Sequence, residues 1–121
     1  METEKSTFSV LTNIEVSEER MSDLLESGFY GGTDHWCCIR SGSIKSLLAG
    51  TKNIVIQELG DDMNDYTGKK HELKRDMLEP GLKLLAEKFQ HHWNNVLEDN
   101  IDADTGDAFI QCAVLGDIVF G

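Results

Sequence analysis

Residues 29–38 constrain the fold of this chain more than any other stretch of comparable length. They read Phe-Tyr-Gly-Gly-Thr-Asp-His-Trp-Cys-Cys and follow directly on an apolar helical pattern. Glycine takes the positive φ angles that end a helix, and a tryptophan placed just after that end must bury a large ring and give its N–H an acceptor. We therefore expect this stretch to be the centre of the core or of a binding site.

Strand and helix patterns alternate before and after this stretch. Apolar residues alternate loosely over 7–16, which predicts a first strand, and Ser17 is placed to cap a helix over 18–30 that Gly31 and Gly32 end. A short helix is predicted from Ile44 to the terminating Gly50. The β-branched run 52–59 predicts a strand, and 69–75 can return beside it as the second strand of a long-looped hairpin.

The second half of the chain is mainly helical by pattern. Residues 76–79 have the spacing of a capping box, and apolar residues then recur at steps of three and four, which predicts one long helix over 77–97. Asp104 is placed to cap a last helix that Gly116 ends. We expect the apolar residues that follow, 117–121, to dock on the core, because free they would expose a sticky surface.

These elements predict a small α+β fold. We expect an antiparallel sheet of three or four strands packed against one long helix and two or three shorter ones. The 121 residues are enough for one domain over 1–121, with residues 1–6 as a mobile end.

Charge and cysteine content restrict the classes of function. Twenty-two acidic against eleven basic residues give a formal net charge of −11, which repels a phosphate backbone, so we expect no direct binding of nucleic acid. That acidity is explained by solubility or by mimicry of nucleic acid towards a basic protein. Three cysteines, two of them adjacent, do not form a disulfide framework, and neither a signal peptide nor a membrane span is recognisable. We expect a cytoplasmic protein without membrane contact.

The spacing of reactive side chains predicts no catalytic residue, no metal site and no cofactor. The three cysteines and four histidines lack zinc-site spacing, and the aspartates between 102 and 107 lack the glycine position and closing glutamate of a calcium loop. Cys37 or Cys38 beside His35 is more simply explained as buried structure than as a nucleophile.

Ligand binding without catalysis fits the residue pattern better. Trp36 beside the Gly31-Gly32 turn is either a core ring or a stacking platform, and Tyr30 and Arg40 could complete a grip on a base and a phosphate. Gln111 is either a buried hydrogen-bonding link or a reader of a base edge. The predicted ligand-binding set is Tyr30, Gly31, Gly32, Trp36, Arg40 and Gln111.

Two blocks of the chain resemble a family of small phage and prophage proteins. The blocks are Gly-Gly-x-x-His-Trp-Cys at 31–37 and Leu-Gly-Asp-Ile-Val-Phe-Gly at 115–121, where family members typically read Glu-Gly-Gly-x-x-Tyr-Trp-Cys and Leu-Phe-Gly-Glu-Ile-Val-Tyr-Gly. This chain departs from the pattern with His35 in place of the usual tyrosine. The resemblance implies the cytoplasm of an infected bacterial host and an accessory factor that acts by binding.

Three hypotheses of function follow. The first is a counter-defence protein that sequesters a nucleotide-derived immune signal without turnover. The second is an acidic inhibitor that docks a host defence or nucleic-acid-binding protein through Asp61, Asp62, Asp65 and the acidic run 98–107. The third is a small hydrolase or transferase. We also expect a homo-oligomer, which would form through Trp93 and Phe120.

Overall fold

The computed structural model describes residues 14–121 as five helices and a three-stranded antiparallel sheet. In chain order the elements are α1 (Glu18–Ser27), β1 (Cys37–Ser41), α2 (Ile44–Ala49), β2 (Ile54–Glu58), β3 (Lys70–Leu73), α3 (Leu78–Lys88), α4 (Gln90–Leu97) and α5 (Ala103–Leu115). The α+β class is as predicted. Most of the strand expected over 7–16 lies outside the described residues, and Ile14, Glu15 and Val16 are not in a strand.

The sheet has the order β1-β2-β3, with both pairings antiparallel. Ile39 of β1 lies opposite Ile56 of β2, and Ile54 of β2 lies opposite Leu73 of β3. Ile54, Ile56 and Leu73 are fully buried, which places the apolar face of the sheet on the helices. The long-looped hairpin predicted for β2 and β3 is confirmed.

The first helix is shorter than predicted and ends in a wide turn over Gly28–Gly32. Ser17 caps α1 by accepting a hydrogen bond from the backbone N–H of Arg20 at 3.1 Å. Gly31 has φ +136°, a conformation that L side chains rarely adopt, so the helix cannot continue past it. Tyr30 is also non-helical and points its ring into solvent, 73% exposed.

The long helix predicted over 77–97 is two helices that meet at Phe89. Phe89 has φ −128° and ψ 65°, which is not helical. Its N–H donates to the carbonyl of Leu85 in α3, and its carbonyl accepts from the backbone N–H of Trp93 in α4. An unbroken helix of that length would run about 30 Å in one direction. The bend instead keeps Val96 fully buried with Leu85, so burial of the apolar stripe decides against the straight helix.

Helix α5 is the centre of the core. It packs against α1, the wide turn, α3, α4 and β3, and its residues from Thr105 to Cys112 are all buried. Asp102, rather than Asp104, caps it by accepting from the backbone N–H of Thr105 at 2.8 Å. That bond holds the pKa of Asp102 below its ordinary value. Gly116 ends the helix with φ +78°, as predicted. No helix among residues 14–121 is long and apolar enough to cross a membrane.

Candidate functional site

The carboxylate of Asp107 joins the 29–38 stretch to α5. Its Oδ1 accepts hydrogen bonds from Trp36 Nε1 at 2.8 Å and Gln111 Nε2 at 3.1 Å. Its Oδ2 lies 2.8 Å from His35 Nε2. Trp36 and Gln111 are almost fully buried, and Asp107 is only 8% exposed. The tryptophan N–H therefore has the acceptor that its burial requires.

The side chain of Gln111 also fixes residues 117–121, which we call the strap. Gln111 Oε1 accepts from the backbone N–H groups of Val119 and Phe120, both at 2.8 Å. Gln111 Nε2 donates to the carbonyl of Phe120 at 2.9 Å. The Phe120 ring stacks on Trp36 with the ring centroids 4.9 Å apart and the planes 12° from parallel. The expected docking of this segment on the core thus uses one side-chain amide and one aromatic stack.

The structure distributes the six predicted ligand-binding residues over three places. Trp36 and Gln111 lie in the buried cluster around Asp107. Arg40 lies on the exposed side of β1, where its Nε donates to Gln57 Oε1 and its Nη2 donates to the carbonyl of Tyr66. Tyr30 and Gly31 are exposed, and a side chain at Gly32 would overlap the carbonyl of Ala103. These residues do not surround one pocket, and their role in ligand binding stays a prediction.

The cysteines have the environment of structural thiols. Cys37 and Cys112 are buried, and burial raises the pKa of Cys37 to about 12 and that of Cys112 to about 11. Such thiols hold little thiolate at neutral pH, and the thiolate is the reactive form. Within residues 14–121, no group of three or more His, Cys, Asp and Glu side chains is placed to hold a metal ion.

The acidic residues predicted for docking divide into internal and exposed groups. Only Asp107 is buried, whereas Glu98, Asp102 and Asp104 are exposed, and the carboxylate of Asp102 is engaged in capping α5. Asp62 organises its own loop by accepting from the backbone N–H groups of Asn64 and Asp65, which lowers its pKa. The run 98–107 therefore offers fewer acceptors to a partner than the sequence suggests.

A concave surface between α1 and α2 gathers acids that the sequence analysis did not assign to a site. This acidic groove has a volume of about 450 Å³ and is lined by Glu18, Glu19, Ser22, Glu26, Tyr30, Ser43, Ile44, Lys45 and Leu48. Of these described lining residues, Lys45 alone is cationic. The signal in the sequence was the four-residue spacing of 18, 22 and 26, which places three polar side chains on one side of α1, with Tyr30 following in the wide turn.

The exposed residues of the groove are positioned by buried ones on the same elements. Leu24 and Leu25 of α1 are fully buried, and they turn Glu19 and Glu26 outward. Ser43 caps α2 by accepting from the backbone N–H of Ser46 at 3.1 Å. A rigid core thus carries an acidic rim with one exposed aromatic ring.

Comparisons with protein-family models, with curated proteins and with solved structures found no match. The resemblance to phage proteins stays a prediction.

Proposed function

We propose that this chain is a non-catalytic acidic protein that binds a basic segment of a partner protein in the acidic groove. In the phage setting that the resemblance implies, the partner is a host defence or nucleic-acid-binding protein, and docking blocks its basic surface. The observation that carries the proposal is the groove itself, where Glu18, Glu19 and Glu26 share one concave surface with the exposed ring of Tyr30.

The chemistry of the groove matches lysine and arginine side chains. Carboxylates attract their cationic ends, and the face of Tyr30 can take a cation at close range. Leu48 also lines the groove and offers apolar contact to the aliphatic stems of long basic side chains. The net charge of −11 adds long-range attraction to a basic partner and raises the rate of encounter.

The experiment measures binding of a lysine- and arginine-rich peptide by titration calorimetry, with a glutamate-rich peptide of equal length as the negative control. We expect the double variant Glu18→Gln/Glu26→Gln to weaken binding about tenfold, because both lost carboxylates line the groove. Tyr30→Ala should weaken it by a similar factor, since exposed aromatic residues often carry much of the binding energy.

The matched control is Asp61→Asn/Asp65→Asn, which removes the same two charges from the loop after β2. We expect this variant to bind within about twofold of the unaltered chain, because only the long-range attraction changes. Equal losses in both double variants would show that net charge alone attracts the peptide and would refute the groove.

A second candidate is sequestration of a nucleotide-derived signal in another groove, between α1 and α3. This groove has a volume of about 810 Å³, within the range of small-molecule sites. Trp93 supplies a stacking face there, and Arg75 and Lys83 supply cations, although three carboxylates, those of Glu15, Glu18 and Glu79, also line it. The ring of Trp93 and the cations of Arg75 and Lys83 favour this groove over the surroundings of Trp36 as the place for a nucleotide.

The second candidate is tested by incubating the protein with ADP-ribose and with a cyclic dinucleotide, removing free ligand, denaturing the protein and identifying the released molecules by mass spectrometry. Recovery of the intact nucleotide would support sequestration. Recovery of an altered nucleotide would favour the hydrolase or transferase hypothesis. No recovery, together with unchanged tryptophan fluorescence, would remove this candidate and leave the acidic groove.

A further inference from the structure

The groove between α1 and α3 has a mainly apolar lining. Among its described lining residues, apolar side chains outnumber charged ones eight to five, and they include Met21, Leu78, Leu82, Ala86 and Trp93. The charged residues are three carboxylates and two cations, so the lining favours neither sign of charge strongly. An exposed apolar patch marks a surface that another segment or a partner covers. The lining therefore suits an uncharged, apolar occupant.

The part of the chain that the structure describes begins inside this groove. Ile14 and Val16 line it, and Ile14 is 51% exposed there, which leaves an apolar side chain half in water. Residues 7–13 are thus attached at the groove itself. Seven extended residues span about 23 Å, whereas the wall from Leu78 to Ala86 measures about 12 Å along α3. The segment is long enough to cover the groove.

The composition of residues 7–13 matches that lining. They read Thr-Phe-Ser-Val-Leu-Thr-Asn and carry no charged side chain, in a protein with a formal net charge of −11. The apolar members are Phe8, Val10 and Leu11. Burying such side chains is favourable roughly in proportion to the apolar area removed from water, and no charge has to be desolvated with them.

We infer that the groove between α1 and α3 is a docking surface for residues 7–13 of the same chain, with the apolar side chains of that segment against Leu82, Ala86 and Trp93. Attachment at Ile14 gives the segment an effective concentration on the order of millimolar, which favours it over a separate peptide or a second copy. A nucleotide would have to displace the segment to enter this groove. The inference does not depend on the acidic groove.

The position of the segment is tested by disulfide trapping in the full chain. The variants Val10→Cys/Ala86→Cys and Leu11→Cys/Ala86→Cys are oxidised with glutathione disulfide, because neighbouring residues of an extended segment point to opposite sides. We expect one of them to form a disulfide within the molecule, located by peptide mass spectrometry. Glu87→Cys in place of Ala86→Cys is the matched control, since Glu87 is the next residue of α3 but is exposed and outside the groove lining.

We expect the control pairs to form the disulfide about fivefold less, because the bond needs close Cβ atoms. Three outcomes would overturn the inference: equal trapping at positions 86 and 87, a disulfide that joins two molecules, or no trapping from either position of the segment.

Coverage of the groove is tested by acrylamide quenching of tryptophan fluorescence. Trp36 is only 2% exposed, so quenching of the two tryptophans comes mainly from Trp93, which lines the groove. In the variant Phe8→Ser/Leu11→Ser we expect the quenching constant to rise about twofold, because the segment loses the apolar surface that holds it in place.

Ser9→Ala/Thr12→Ala is the matched control, since it changes two side chains of the same segment without removing apolar surface. We expect its quenching constant to equal that of the unaltered chain. If Phe8→Ser/Leu11→Ser keeps its native helical content and is quenched no more than this control, residues 7–13 do not cover Trp93 and the inference is wrong.

Discussion

At the scale of single residues, Asp107 has the most demanding environment in the described chain. Its carboxylate has left water almost completely, which is costly for a charge unless hydrogen-bond donors replace the water. Trp36 and His35, which lie more than seventy positions from Asp107 along the chain, replace it from one side, and Gln111 replaces it from within α5. One side chain thereby determines the position of the wide turn, of α5 and, through Gln111, of the strap.

We predict that Asp107→Ala lowers the free energy of unfolding by about 3 kcal/mol, because buried donors on Trp36 and Gln111 would lose their acceptor. Urea unfolding followed by tryptophan fluorescence measures this change. Asp104→Ala is the control, since Asp104 lies in the first turn of the same helix but is exposed, and it should cost about 0.5 kcal/mol. Equal costs for the two variants would contradict the role given to the buried carboxylate.

At the scale of the elements, α1 and α5 approach each other through two glycines. A Cβ added to Gly106 would overlap the backbone nitrogen of Gly28 and lie 2.7 Å from the carbonyl oxygen of Leu24. Backbone meets backbone at this crossing, so no side chain separates the helices. The crossing brings the wide turn against α5 and allows Trp36 to reach Asp107.

This contact predicts that Gly106→Ala destabilises the fold, although alanine alone favours a helix over glycine by about 1 kcal/mol. Overlap with the α1 backbone should dominate and lower the free energy of unfolding by about 2 kcal/mol. Gly50→Ala is the comparison, because Gly50 has φ +74° but ordinary spacing to its nearest neighbour, the side chain of Arg75. Its cost should be about 1 kcal/mol, from backbone strain alone. A neutral or stabilising Gly106→Ala would show that the helices can separate without loss.

At the scale of the whole molecule, one core includes buried residues from all five helices and the three strands. Cys37 lies in β1 and Cys112 in α5, so the two thiols report on different parts of this core. If residues 14–121 open as one cooperative unit, both thiols become accessible in the same event. The prediction of a single domain can be tested in this way.

We expect Cys37 and Cys112 to be alkylated by iodoacetamide at one common rate once each rate is normalised to that of the urea-unfolded chain. Burial raises the pKa of both thiols, which adds to their protection in the folded state. Cys38 is only partly buried and serves as the internal control that should react faster. Peptide mass spectrometry over time measures all three. Clearly different normalised rates for Cys37 and Cys112 would indicate two units that open separately.

The sequence by itself determined the elements whose signals are local. Periodicity, caps and glycines located α1, α2, the β2–β3 hairpin and the end of α5, because these signals act within a few residues. Tertiary structure alone decided the break at Phe89, where burial of Val96 competes with helix continuity. It also decided that Asp107 is the acceptor for Trp36 and that Glu18 and Glu26 face a groove. Such long-range partners leave no periodic trace, because they depend on how the helices pack and not on the spacing of residues along the chain.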